Sequence, residues 1–152
     1  MLRVAAAMLP TIGCRGVMTG TDETLPDAIP PDAVVLSSDA IYVRVDRIPA
    51  LSAADSAVVL LAARIIVIRT GPATFRALSA ECPHAGCGVS VVDRPRLICP
   101  CHGSEFDFTG QRLAGPAATG LVLLQSEYDG VRAELRVLRA GVPQLSPNSS
   151  RA

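Results

Sequence analysis

Lysine and tryptophan are absent from this chain of 152 residues, aromatic residues make up 3%, and there are only two histidines. All 14 basic residues are therefore arginine, and 14 acidic residues bring the formal net charge to zero. A neutral chain has no bulk field with which to hold nucleic acid or an anionic membrane, so neither is expected as a charge-driven partner. With so few rings, the core must be built from Val, Ile, Leu and Ala, within a hydrophobic content of 49%. No long apolar run is present either. The first, Val4 to Ile12, is broken by Pro10, whereas a helix needs about 20 apolar residues to cross a bilayer. At this length one domain with its own core is expected.

What is present is concentrated. Cys82-Pro83-His84-Ala85-Gly86-Cys87 and Cys99-Pro100-Cys101-His102-Gly103-Ser104 hold four of the five cysteines and both histidines. Thiolates and imidazoles select zinc, copper or iron–sulfur centres over hard cations. Six candidate ligands exceed the four of one tetrahedral site. Neighbours in an extended backbone point to opposite sides, so Cys101 and His102 are not expected on the same metal. Cys99 and His102 can converge if the chain turns through Pro100 and Cys101, with Gly103 giving the backbone room. Cys82 and His84 can face one way while Cys87 stands aside. This leaves Cys82, His84, Cys99 and His102 as ligands, and two spare thiols, Cys87 and Cys101, that could close a disulfide between facing loops. Two other readings stay open at this point. A structural zinc site uses the same ligand types, although Cys-x-His is tighter than its usual spacing. Two ordinary disulfides would require both histidines to fall beside cysteines by accident.

The two boxes resemble those of the Rieske iron–sulfur proteins, in which two cysteines bind one iron of a [2Fe–2S] cluster and two histidines bind the other. By position, the resemblance implies Cys82 and Cys99 as thiolate ligands, His84 and His102 as imidazole ligands, and a Cys87–Cys101 disulfide. Gly115-Pro116-Ala117 is similar to the family's proline loop, which covers the cluster from a third side. Ser104 stands where a hydroxyl of high-potential relatives donates to a bridging sulfide, although it could simply cap the turn. Phe106 stands where those relatives have a tyrosine that donates to a ligand cysteine. One donor kept and one lost imply a raised but submaximal potential. The implied fold is all-β, an antiparallel sandwich or barrel base with an inserted cluster-binding subdomain. The implied function is electron transfer in a membrane-associated, quinol-oxidising complex of the cytochrome bc type. Its partners would be quinol and a redox protein such as a cytochrome. The alternative is a ferredoxin-like component or a small redox subunit of another oxidoreductase. A mononuclear-iron oxygenase site needs two further histidines, and none remain, so the chain is expected to be a redox subunit rather than an enzyme alone.

The rest of the chain agrees with strands. Ile41 to Asp46 alternates apolar and polar, the period of a half-buried strand. Ala57 to Leu61 and Ile65 to Thr70 are aliphatic, and strand is favoured over the helix that alanine and leucine would allow from Ser52 to Ala63. Thr74 to Ala80 leads into the first box. Val89 to Val92 and Leu97 to Cys99 form a hairpin between the boxes, and Leu121 to Gln125 pairs with Val131 to Leu138 across Asp129-Gly130. The domain is expected over 34–140, with its cluster-binding part at about 80–118. Residues 1–14 read as a signal-like or lipoprotein-like segment ending at Gly13-Cys14, where Cys14 is a candidate for lipidation, although Thr11 replaces the usual leucine and no twin-arginine pair precedes it. Residues 15–33 read as a tether and 141–152 as a disordered tail. An export segment and a disulfide pair together point to the periplasm or the outer face of the bacterial cytoplasmic membrane, with attachment through lipid or a partner subunit.

Overall fold

A computed structural model describes residues 29–139. The expected export segment with Cys14, most of the tether and the expected tail lie outside the described residues. Among the described residues twelve strands form three antiparallel four-stranded sheets. The first is built from β1 (Val34–Leu36), β2 (Ala40–Arg44), β11 (Ser126–Asp129) and β12 (Glu134–Leu138), in the order β1-β2-β12-β11. In the second, β3 (Ser56–Leu60), β4 (Ile65–Gly71), β5 (Thr74–Ser79) and β10 (Leu123–Leu124) run in the order β10-β5-β4-β3. The third follows chain order: β6 (Val91–Asp93), β7 (Arg96–Cys99), β8 (Ser104–Asp107) and β9 (Arg112–Ala114). The all-β antiparallel expectation holds.

The second sheet is the middle layer. Ile65 and Val67 of β4 pack with Ile41, Val43, Leu135 and Val137 of the first sheet. Their neighbours Ile66 and Ile68 turn the other way, into a core shared with Leu97, Cys99 and Phe106 of the third sheet. A strand covered on both faces needs apolar side chains at consecutive positions, which is why Ile65 to Ile68 does not alternate. Cys82 and Cys99 belong to the second core, so the centre is floored by the face of β4 that carries Ile66 and Ile68.

Several boundaries differ from the sequence expectation. β2 ends at Arg44, and Val45–Arg47 is a 3-10 turn whose Val45 is drawn into the core. β3 likewise gives way to a 3-10 turn at Leu61–Ala63, followed by Arg64 in the left-handed region at φ 55°. The last hairpin is not the one expected. Leu123–Leu124 pairs with β5 in the middle sheet, and it is Ser126–Asp129 that pairs with β12. Asp129 Oδ1 accepts the N–H groups of Val131 and Arg132, which widens the turn and delays β12 to Glu134. Residues 29–33, expected at the end of the tether, pack on the first core through Ile29 and the fully buried Ala33. Among the described residues no helix is long and apolar enough to cross a membrane.

Because Ile66 is fully buried in the layer beneath the centre, Ile66→Ala should destabilise the fold by about 2–5 kcal/mol. Chemical denaturation of the purified variant reads this directly; a loss below about 1 kcal/mol would contradict the middle-layer assignment.

Candidate metal centre

Both boxes become loops of the same construction. In the first, Gly86 N–H donates to the Cys82 carbonyl at 2.9 Å, and in the second Gly103 N–H donates to that of Cys99 at 3.0 Å. Each glycine has positive φ, 73° and 70°, a conformation that other residues adopt at a cost. A Cβ at Gly103 would meet nothing within 4 Å, so this glycine is there for its backbone and not for space. Cys82 N–H also bonds the Cys87 carbonyl, and Glu81 bridges to Gly88, closing the first loop at its neck. The second loop is the turn of the β7–β8 hairpin, where Cys99 faces Ser104. A Cys87–Cys101 disulfide joins the two loops, with Cα atoms 6.5 Å apart, within the usual span.

This construction separates the four remaining donors by depth. Cys82 and Cys99 are free thiols, 2% and 1% exposed. His84 and His102 are exposed, and their Nδ1 atoms stand 3.3 Å apart with the ring planes nearly perpendicular. Two imidazole nitrogens that converge in this way can share a proton or a cation between them. Burial pushes the Cys99 thiol above its ordinary value; the Cys101 N–H draws it back, and the adjacent Cys82 thiol adds to the rise. A positive centre beside the two sulfurs reverses that balance and stabilises both thiolates. The donors therefore fit a binuclear group with sulfur inward and nitrogen outward. The sulfurs of Cys87, Cys99 and Cys101 also lie within 4.8 Å of one another, but two of these are spent in the disulfide.

A family model for the Rieske [2Fe-2S] domain matches residues 42–129. The chain belongs to the Rieske family. The cytochrome b6-f complex iron-sulfur subunit of Synechococcus elongatus is 46% identical over 50 residues, 32% of this chain and 28% of that protein. The subunit of the same name from Chlorobaculum thiosulfatiphilum is 37% identical over 68 residues, 44% of this chain and 37% of that one. The chain thus spans about a third of the length of these curated relatives. Among solved structures, a plasma membrane Rieske protein from Synechocystis PCC 6803 is similar at 29% identity and a TM-score of 0.43, covering 50% of this chain and 76% of its own. Rieske membership implies a [2Fe–2S] cluster as the cofactor.

The Gly115-Pro116-Ala117 segment is seated on the second box. Gly115 has φ 86°, and a Cβ built there would lie 2.5 Å from Ser104 Cα and 2.7 Å from the Gly103 carbonyl oxygen. Ser104 is fully buried, and its Oγ accepts the Ala117 N–H at 3.1 Å. It therefore ties the Gly115-Pro116-Ala117 segment to the box instead of capping its own turn. Phe106 is fully buried in the same core as Cys82 and Cys99. Sequence reasoning missed Arg76, whose Nη1 donates to the Phe108 carbonyl at 2.9 Å and ties the middle sheet to the segment after β8. An arginine in a strand carries no signal of such a reach.

Gly115→Ala should push the Gly115-Pro116-Ala117 segment off the second box. Iron retained per chain after gel filtration, compared with the parent protein, is expected to fall several-fold; full retention would show that this close approach is dispensable.

Proposed function

We propose that this chain is the electron-carrying head of a quinol-oxidising complex at the outer face of a bacterial cytoplasmic membrane. Cys82 and Cys99 hold one iron of its [2Fe–2S] cluster, and His84 and His102 hold the other. The observation that carries this reading is the depth ordering of the donors, two buried thiols beneath two exposed imidazoles that converge through Nδ1. The family adds its weight, as do relatives named cytochrome b6-f complex iron-sulfur subunits. When bound, the cluster supplies a one-electron store whose potential, for this ligation, falls at roughly −150 to +300 mV.

The chain's own residues set how that store is used. With Nδ1 of each ring directed at its neighbour, Nε2 is the nitrogen left for a partner. There it can take up the proton that leaves a quinol hydroxyl as the quinol is oxidised, or meet the surface of a redox protein such as a cytochrome. The buried sulfurs and the proline loop keep water from the inner side. Ser104 is fixed by a hydrogen bond that its oxygen accepts, which leaves its O–H proton for a sulfide. At Phe106 no such proton is available. Residues 34–140 form the redox domain, with the cluster-binding part at about 80–118. Attachment to the membrane is assigned to a lipid on Cys14, after removal of the segment before it and with 15–33 as tether, or to a partner subunit.

Iron-loaded protein reduced with dithionite should give the paramagnetic signal of one electron shared by two inequivalent irons, with hyperfine coupling to imidazole nitrogen. Cys82→Ser and Cys99→Ser should abolish it; zinc as the sole metal, or silence at full iron loading, would end the proposal. Phe106→Tyr should raise the midpoint potential, because a phenol proton near a ligand sulfur stabilises the added electron. An unchanged or lower potential in a redox titration would refute that tuning. The same titration repeated across pH separates the two roles: a high, pH-dependent potential marks quinol chemistry, and a low, flat one marks a ferredoxin-like carrier.

A further inference from the structure

Four sulfur atoms occupy one small volume of this protein, yet the proposed iron site uses only two. Those of Cys87, Cys99 and Cys101 lie within 4.8 Å of one another, and Cys82 is buried in the same core cluster as Cys99. Sulfurs around a tetrahedral zinc stand about 3.8 Å apart, given a zinc–sulfur bond of about 2.3 Å. Once the disulfide opens, the Cys87 and Cys101 sulfurs move apart from bonding distance to that spacing, and the Cys99 sulfur, within 4.8 Å of both, closes in by about 1 Å at most, which side-chain rotation can supply.

We propose that the Cys87–Cys101 disulfide is a metal-selectivity element. Opened, it exposes a thiolate site for a soft divalent cation of the zinc class, made by Cys87, Cys99 and Cys101 with Cys82 as the neighbouring fourth donor. Closed, it withdraws two sulfurs from coordination and leaves two thiols and two imidazoles. Sulfur-rich tetrahedral sets are the ones that zinc occupies in closed structural sites. The histidines lie on the exposed side and take no part in the thiolate site. Opening is a balanced two-electron exchange with a dithiol reductant. One thiolate of the reductant attacks the Sγ of Cys101, which is exposed where Cys87 is half-buried, and Cys87 leaves as thiolate. The second thiolate of the reductant then releases Cys101, so the protein gains two thiols and the reductant ends as a cyclic disulfide. The incoming cation displaces a proton from each thiol it binds.

This rests on where the sulfurs stand and not on the iron reading, so an iron-free experiment tests it alone. Full-length protein freed of iron is titrated anaerobically with cobalt(II), once with the disulfide closed and once after a dithiol has opened it and been removed by gel filtration. Sulfur-to-cobalt charge-transfer absorbance per bound cobalt should be about 1.5 to 2 times greater in the opened protein, reflecting three or four thiolates in place of two. The His84→Asn/His102→Asn double variant should bind cobalt undiminished when opened and lose binding when closed. Cys87→Ser/Cys101→Ser should stay at the lower absorbance, which also excludes Cys14 as the source of any added sulfur. Equal absorbance in the two states would overturn the proposal, as would failure of the opened chain to bind or a need for the histidines in the opened form.

Discussion

Two thiols in this protein are part of its hydrocarbon core, and the remaining features of the centre follow from keeping them there while a metal is within their reach. Cys82 and Cys99 share a cluster of buried side chains with Ile66, Ile68, Leu97 and Phe106, so the floor of the centre is the same packing that stabilises the third sheet. Burial holds the Cys99 thiol against ionisation, and a cation beside it stabilises the charge that burial otherwise penalises. On the proposed ligation folding and metal binding are linked, because the positive centre completes a core with two sulfurs in it.

The middle sheet makes this possible because β4 is covered on both faces. One face packs against the β1-β2-β12-β11 sheet, and the other supports the loops formed by the two boxes. The part of the fold that carries the two boxes is braced at several places. The disulfide joins the two loops, Ser104 holds the Ala117 N–H, and Arg76 reaches across to Phe108. Each brace crosses from one segment to another, so the loops do not depend on their own hydrogen bonds alone for their shape. The outward side is left to two exposed imidazoles, and an electron or a proton can be exchanged there without disturbing the core.

Much of this was legible in the order of residues. The two boxes announced a soft-metal centre because cysteine and histidine are scarce elsewhere. The hairpin between them was plain from Val91-Val92 and Leu97-Ile98 flanking a proline turn. The aliphatic run at Ile65 marked a buried strand but not which sheets would cover it. β8 and β9 were illegible: Ser104-Glu105-Phe106-Asp107 has too much charge, and Arg112-Leu113-Ala114 is too short, to read as strand. Their pairing comes from the β7–β8 turn that the second box imposes. The final hairpin was misplaced because Leu123-Leu124 looks like any aliphatic strand, and its partner, β5, lies more than forty residues away in the chain.

The sequence by itself determined which atoms can bind the metal, where the backbone must turn, and that the core would be aliphatic, since these depend on residue type and short spacing. Only the tertiary structure decided that the thiols lie inside and the imidazoles outside, and that the serine closing the second box fastens the Gly115-Pro116-Ala117 segment. It alone also brought three sulfurs within reach of one another. Depth and proximity arise from packing between strands distant in the chain, and no local pattern encodes them.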